Sequence, residues 1–252
     1  MRVKLLVSGL VLIMTVMIAA WSYGEEAITV VTEEYPPYNY TEGGKVKGVS
    51  TEVVEAVLKL TGIKAEIEVY PWPRTYHLAL NNKNTLIYSI TRMPQREELF
   101  KWVGRIAPAE NYLFALKERT DIQISTLEDA KKYKIATVQN DVCELYLLSK
   151  GFEKRKNVRS DSTYPVNMEK LLGKLIDMWA IGELPAYSLL RGKGLDPSQT
   201  VRKVFLLEEI SGEGLYMAFS KSTSDEIVEK FKTALEKIKK DGTYGAILKK
   251  YL

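Results

Sequence analysis

Residues 89–102 read "SITRMPQREELFKW" and join the end of a buried strand to a charged segment. Ser89 and Thr91 close the apolar run "TLIYSIT" (85–91), and Pro94 opens a predicted helix that contains Arg96. Two hydroxyls and a guanidinium group at one place could hold an anion, because a guanidinium matches the two oxygens of a carboxylate. The alternative is an ordinary strand end followed by a solvated helix face, since arginine is mostly exposed in proteins.

Strands and helices alternate on both sides of this stretch. Apolar β-branched segments such as "AITVV" (27–31) and "KIATV" (134–138) are separated by segments of helical periodicity such as "STEVVEAVLKLTG" (50–62). This alternation is typical of an α/β fold with mostly parallel sheets. The pattern runs once to about residue 115 and restarts with "KIATVQND" (134–141), which predicts two lobes.

The restart suggests a division of the chain into a leader and two lobes. The first lobe is predicted to comprise residues 25–115 plus 215–252, and the second residues 116–214. The segments "YLFALK" (112–117) and "GLYMAFSK" (214–221) are the expected hinge strands between the lobes. A ligand is expected in the inter-lobe cleft, where α/β proteins of this kind usually bind one.

The N-terminus has the features of a secretory signal peptide. Arg2 and Lys4 precede an apolar stretch from Leu5 to about Ala20, and small residues at Ser22 and Gly24 favour cleavage after Gly24. The alternative is an uncleaved membrane anchor, although the apolar core is short for a bilayer span. The sequence therefore predicts a signal peptide at residues 1–24 and a soluble, exported mature protein, located in the periplasm.

Composition excludes several classes of function. Loss of residues 1–24 removes two positive charges, so the formal net charge falls from +4 to +2, and no long basic block favours nucleic acid. Cys143 is the only cysteine, so no intrachain disulfide is possible. His77 is the only histidine, which excludes multi-histidine metal sites and argues against a Ser-His-Asp or Cys-His catalytic centre. No metal or cofactor is expected.

The order of these motifs resembles the family 3 extracellular solute-binding proteins, which are polar-amino-acid receptors of ABC importers. The resemblance is carried by four segments over nearly the whole mature chain: "EEYPPYNY" with "GKVKGVSTEVVEAVLKLTG", "SITRMPQREELFKWVG", "KLIDMWA" and "KIKKDGTYGAILKKYL". It implies the type II periplasmic-binding-protein fold, with two lobes joined by hinge strands and a ligand in the cleft between them.

The resemblance also implies roles for individual residues. Ser89, Thr91 and Arg96 occupy the positions that grip the α-carboxylate of the ligand, Tyr35 falls on the ligand-stacking aromatic, and Trp72 lies near the opposite wall. Two departures concern the amino group. Gly182 stands where the family's amine-binding aspartate is expected, and residues 140–142, "NDV", replace its usual small hydroxyl residues.

Three further residues are candidates for the site. Asp141 stands at a predicted helix start, where a carboxylate usually caps the helix, but it could instead receive an ammonium group. Glu183, next to Gly182, is the competing counter-charge. Arg74 either faces the ligand or lies on the surface.

The resemblance favours a periplasmic binding protein of an ABC importer. It is expected to act as a monomer, to bind an amino acid or another small carboxylate, and to present its closed form to membrane permease subunits. It is not expected to be an enzyme. One alternative is an enzyme similar to the cyclohexadienyl dehydratases, with Glu183 or Asp141 as the proton-transferring group. The other is a sensory protein whose ligand-bound form contacts a receptor.

Overall fold

The computed structural model of the chain describes residues 27–252. The predicted signal peptide lies outside these residues, so its prediction stands untested. The strands of the described part are β1 (Thr29–Thr32), β2 (Tyr40–Glu42), β3 (Lys45–Lys47), β4 (Ile67–Val69), β5 (Thr85–Thr91), β6 (Phe100–Ala107), β7 (Asn111–Leu116), β8 (Ile135–Val138), β9 (Val158–Asp161), β10 (Met178–Gly182), β11 (Val201–Leu206) and β12 (Leu215–Ser220).

The helices alternate with these strands, as the sequence pattern predicts. They are α1 (Val49–Thr61), α2 (Trp72–Asn81), α3 (Val142–Ser149), α4 (Tyr164–Leu172), α5 (Glu183–Gly192), α6 (Pro197–Thr200), α7 (Asp225–Lys240) and α8 (Thr243–Tyr251), with 3₁₀ turns at Pro94–Leu99, Leu127–Lys132 and Glu208–Ile210. None of the helices in residues 27–252 combines the length and the apolar character that a bilayer span requires.

Two five-stranded sheets form the centres of the two lobes. The strand order is β4-β1-β5-β12-β6 in the first sheet and β11-β7-β10-β8-β9 in the second. In each sheet two neighbouring pairs are parallel and two are antiparallel. The two-lobed α/β fold is confirmed, but its sheets are mixed, because the strand that follows each crossing of the chain runs antiparallel to its neighbours.

The chain crosses between the sheets at two short segments, residues 108–110 and 207–214. They run side by side, since the Leu207 N–H donates to the Asn111 carbonyl and the Gly212 N–H donates to the Ala109 carbonyl. The predicted boundary at residue 115 falls inside β7, which belongs to the second sheet, so the first crossing comes earlier. The expected hinge strands, residues 112–117 and 214–221, each pair within one sheet.

The predicted helix that Pro94 opens is wrong beyond its first turn. Pro94–Leu99 forms a 3₁₀ turn, and β6 begins at Phe100. Phe100 and Trp102 are buried, and Trp102 pairs with Ala218 of β12 at the edge of the first sheet. Burial of these aromatic side chains against the sheet outweighs the helical pattern of the charged residues before them.

The strand ends of the two lobes face each other. β1 and β5 are parallel neighbours in the first sheet, and β8 and β9 are parallel neighbours in the second. The residues that follow the carboxyl ends of these four strands line a common cavity between the lobes. Binding in the crevice outside the carboxyl ends of parallel strands is the general rule for open α/β sheets.

Candidate functional site

A small cavity of about 20 Å³ lies between the two lobes, with room for about one water molecule. Its wall consists of buried polar and aromatic side chains from both lobes. The lining residues are Glu33, Tyr35, Trp72, Ser89, Thr91, Arg96 and Leu215 from the first lobe and Asp141, Val142 and Tyr164 from the second.

A distortion of β5 directs hydroxyls into this cavity. The pairing of β5 with β12 shifts register between Ile90 and Tyr88, which leaves Ser89 as the extra residue of a bulge, with a φ of 61°. The Ser89 hydroxyl donates to the Asn39 side-chain oxygen, and Asn39 also donates to the Glu33 carbonyl. Asn39 therefore joins the end of β5 to the segment after β1.

Arg96 lines the cavity and is 1% exposed. Nη1 donates to the Thr91 carbonyl at 3.0 Å and Nη2 donates to the Asn140 carbonyl at 2.8 Å. Nε is buried and has no hydrogen-bond partner among the described residues. A guanidinium group has five N–H donors, so Arg96 keeps donors available for an anion.

The Asn140 carbonyl connects the lobes directly. It accepts from Trp72 Nε1 at 2.9 Å as well as from Arg96, and both donors belong to the first lobe. Asn140 has a φ of 62°, a left-handed conformation that asparagine tolerates better than most residues. The Asn140 N–H donates to the fully buried Glu144 carboxylate at 2.7 Å, which holds this peptide in place.

Asp141 caps α3 and lines the cavity at the same time. Its Oδ1 accepts from the Glu144 N–H at 2.6 Å, which is the helix cap. Its Oδ2 accepts from the Tyr164 hydroxyl and from the Val138 N–H, each at 3.4 Å. Burial raises the pKa of Asp141 to about 7, against the effects of the Glu144 N–H and of Arg96.

Glu33 lies at the carboxyl end of β1 and is 6% exposed. Burial raises its pKa well above the ordinary glutamate value, and the negative charge of Asp141 adds to this effect. The cavity therefore contains two carboxyl groups, one from each lobe, together with the single guanidinium group of Arg96.

Tyr35 occupies the space beside Gly182. Its ring packs against Tyr38 at 5.7 Å and Tyr164 at 5.0 Å between centroids. A Cβ atom at Gly182 would lie 2.5 Å from the Tyr35 hydroxyl oxygen. The hydroxyl therefore fills the place that a larger side chain at position 182 would need.

A second, wider compartment of about 340 Å³ adjoins the inner cavity. Both share Glu33, Trp72 and Tyr164 as walls. The remaining lining of this outer compartment comes from Glu34, Thr41, Val69, Tyr70, Pro71, Thr163 and Pro165. No group of three or more His, Cys, Asp or Glu side chains within residues 27–252 is arranged to hold a metal ion.

Residues 28–252 match the sequence profile of the bacterial extracellular solute-binding proteins, family 3. The chain belongs to this family. It is 23% identical over 217 residues to the probable amino-acid-binding protein YxeM of Bacillus subtilis, covering 85% of this chain and 79% of that protein. It is 23% identical over 225 residues to a probable histidine-binding protein of Campylobacter jejuni, covering 86% of this chain and 81% of that protein.

The fold is also shared with solved structures. A histidine kinase sensor domain with similarity to periplasmic binding proteins superimposes with a TM-score of 0.79 and 20% identity, covering 90% of this chain and 96% of that domain. At this identity the likeness shows the fold alone, and it agrees with the two-lobed solute-binding architecture.

Within this solute-binding fold, six of the eight residues singled out from the sequence line the inner cavity: Arg96, Thr91, Ser89, Tyr35, Trp72 and Asp141. Two do not. Arg74 is exposed and stacks on the Tyr70 ring at 4.0 Å. Glu183 begins α5 and forms an ion pair with Lys203 at 2.6 Å, so it is absent from the cavity wall and no proton-transfer role at the cavity follows for it.

Glu33 and Tyr164 were missed by the sequence reasoning. Glu33 directly follows the apolar β-branched strand β1, just as Ser89 and Thr91 lie at the end of β5. A polar residue at a strand end was therefore a signal that could have identified Glu33. Tyr164 begins α4 immediately before Pro165, and nothing in its local sequence distinguishes it from a helix-start residue packed in the core.

Proposed function

We propose that the protein binds an amino acid, or another small solute with a carboxylate, between its lobes and delivers it to an ABC importer from the periplasm. The buried guanidinium group of Arg96 carries this proposal. It is enclosed by both lobes, and its Nε has no partner among the described residues. Burial of a cation whose N–H donors lack partners costs free energy unless an anion binds there.

The carboxylate of the ligand is held by the free donors of Arg96 and by groups at the end of β5. The Thr91 carbonyl and the Asn140 carbonyl already fix two edges of the guanidinium plane. This leaves Nε and the remaining Nη hydrogens to form a fork that matches two carboxylate oxygens. The Thr91 hydroxyl lines the same cavity and can donate to the carboxylate, whereas the Ser89 hydroxyl already donates its proton to Asn39.

The size of the cavity implies that the lobes open to admit a ligand. The inner cavity of about 20 Å³ is too small for an amino acid, so the lobes of the ligand-bound form must lie further apart than they do here, and the outer compartment of about 340 Å³ can take the side chain of the ligand. Hinge bending at residues 108–110 and 207–214 opens the cleft, and a ligand that contacts both lobes favours closure. The closed form is then the form that permease subunits recognise.

Calorimetric titration with the standard L-amino acids, their 2-hydroxy analogues and simple dicarboxylates tests this proposal. We expect one or more of the amino acids to bind. Replacement of Arg96 by Lys keeps the charge but loses the fork, at a cost of about 1.5–3 kcal/mol for one charged hydrogen bond, or about 10- to 150-fold in affinity.

Arg92→Lys is the matched control, because Arg92 is exposed and its guanidinium pairs with Glu97 on the same turn. This variant should bind as the unmodified protein does. Equal affinity of the Arg96→Lys variant and the unmodified protein would show that the carboxylate is held elsewhere. No binding by any compound in the panel would remove the proposed function.

A further inference from the structure

We infer that Glu33 and Asp141, one from each lobe, together hold the ammonium group of the bound amino acid. This inference rests on the proposed function and assigns the half of the site that the family resemblance leaves open. Both side chains line the same cavity as Arg96, and they are 6% and 2% exposed.

Both residues are held in place by bonds to rigid elements, Glu33 through its main chain and Asp141 through its side chain. The Glu33 main chain accepts from Asn39, and Asn39 is tied to Ser89 at the bulge of β5. Asp141 is fixed as the cap of α3 and by the Tyr164 hydroxyl. An ammonium group between them meets prearranged acceptors, which reduces the entropic cost of binding.

The charges of the cavity favour a ligand that carries a cation. With both carboxyl groups ionised, two negative charges face the single positive charge of Arg96. A carboxylate ligand without an ammonium group can bind only if protons stay on these two carboxyl groups, because a third uncompensated negative charge in a buried site is costly. A zwitterionic amino acid adds one charge of each sign and places its ammonium group beside the two negatively charged carboxyl groups.

Position 182 offers no competing ammonium site. Its Cβ direction is occupied by the Tyr35 hydroxyl at 2.5 Å, so no acidic side chain fits there. Glu183, the adjacent carboxylate, is held by Lys203 outside the cavity. Among the described residues that line the cavity, Glu33 and Asp141 are the acidic ones.

Before a ligand binds, protons compensate the two carboxyl groups. Burial raises the pKa of Asp141 to about 7 and the pKa of Glu33 well above its ordinary value. The other ionisable groups around the pair come from both lobes. Burial raises the pKa values of Tyr35, Tyr164 and Cys143, so these three groups stay neutral, while Arg96 stays charged. The Glu34 carboxylate accepts from the Thr41 hydroxyl, and the Glu144 carboxylate accepts from Lys154.

An incoming ammonium group therefore displaces a proton from the carboxyl pair. A hydroxyl group in its place brings no charge and displaces none. This exchange ties recognition of the amine to closure, because the two acceptors meet around one ligand atom only when the lobes are closed.

Two measurements test the inference, and both use the amino acid that binds most tightly in the panel and its 2-hydroxy analogue. The unmodified protein should prefer the amino acid by about 100-fold or more, because the hydroxy acid leaves buried acceptors unpaired. Glu33→Gln and Asp141→Asn should each reduce this preference by about 10-fold or more. Asparagine caps helices as well as aspartate does, so the second variant keeps the cap of α3.

Glu183→Gln is the control, since it removes the carboxylate that directly follows position 182 and that lies outside the cavity. It should leave the preference unchanged. The second measurement needs no variant: calorimetry in two buffers of different ionisation enthalpy at about pH 6.5 counts protons released. We expect release of about one proton with the amino acid and none with the hydroxy acid.

The possible outcomes separate this inference from the proposed function. If the hydroxy acid binds as tightly as the amino acid, releases as many protons, and is still weakened by Arg96→Lys, the carboxylate site stands and the ammonium assignment is wrong. An unchanged preference in both Glu33→Gln and Asp141→Asn also overturns the assignment. If no amino acid in the panel binds, both proposals fail together.

Discussion

Trp72→Phe should weaken closure of the cleft. The indole Nε1 of Trp72 donates to the Asn140 carbonyl at 2.9 Å, across the two lobes, and phenylalanine keeps an aromatic ring but has no donor. A neutral hydrogen bond contributes about 1 kcal/mol net, so the ratio of closed to open molecules should fall about 5-fold. The bond from Arg96 to the same carbonyl remains, so closure is weakened and not abolished.

Small-angle X-ray scattering of the ligand-free protein measures this change, because opening of the lobes increases the radius of gyration. Trp102→Phe is the matched control: its Nε1 donates to the Glu97 carbonyl at 3.2 Å, and both residues belong to the first lobe. We expect a larger radius for Trp72→Phe alone, and an apparent ligand affinity reduced by at most about 5-fold. Identical scattering of the two variants would show that the Trp72 bond does not hold the lobes together.

Three further changes test other parts of the site. Gly182→Ala places a methyl group 2.5 Å from the Tyr35 hydroxyl oxygen and should cost about 1–3 kcal/mol in urea unfolding, whereas the double variant with Tyr35→Phe should recover most of this loss. The folded-state pKa of Asp141, about 7, exceeds its unfolded value, so its contribution to stability is full below about pH 4 and is lost as the pH rises towards 7, at about 1.4 kcal/mol per unit. The melting temperature of the ligand-free protein should therefore fall between about pH 4 and 7, and less so in Asp141→Asn. Glu144→Ala leaves the Asn140 N–H without its acceptor and should lower the free energy of unfolding by about 1–3 kcal/mol together with ligand affinity.

The overall fold was predictable because its signals are local. Alternating strands and helices, and the restart of the pattern in the second half, indicate two α/β lobes. The exact crossing points were not predictable from the same signals. β7 is as apolar as a strand of either lobe, and only its pairing with β10 and β11 assigns it to the second sheet.

The carboxylate half of the candidate site was likewise accessible from one stretch of sequence. Ser89, Thr91 and Arg96 lie within eight consecutive positions, at a strand end and the turn after it, so their proximity follows from local geometry. The inter-lobe contacts of Arg96 were not predictable, because the Asn140 carbonyl is a backbone group brought in by the second lobe.

The two interpretations of Asp141 were treated as alternatives, and the structure shows why they are compatible. A carboxylate has two oxygens: Oδ1 caps α3, and Oδ2 accepts from the Tyr164 hydroxyl beside the cavity. Glu183 illustrates the opposite case. It directly follows Gly182 in sequence, yet it starts α5 and pairs with Lys203 outside the cavity.

The groups proposed to bind the carboxylate lie mainly in the first lobe, whereas those proposed to bind the ammonium group come from both lobes. Arg96 and Thr91 belong to the first lobe, so in the proposed binding mode an open molecule can hold a carboxylate with these groups before it closes. Asp141 and the Asn140 carbonyl belong to the second lobe, so in the proposed opening and closing of the cleft they reach the ligand only on closure. A carboxylate alone is therefore attracted mainly to one lobe, whereas an ammonium group placed between Glu33 and Asp141 draws on both. Since a ligand shifts a conformational equilibrium only by its differential affinity for the two states, the amine rather than the carboxylate should determine how completely the lobes close.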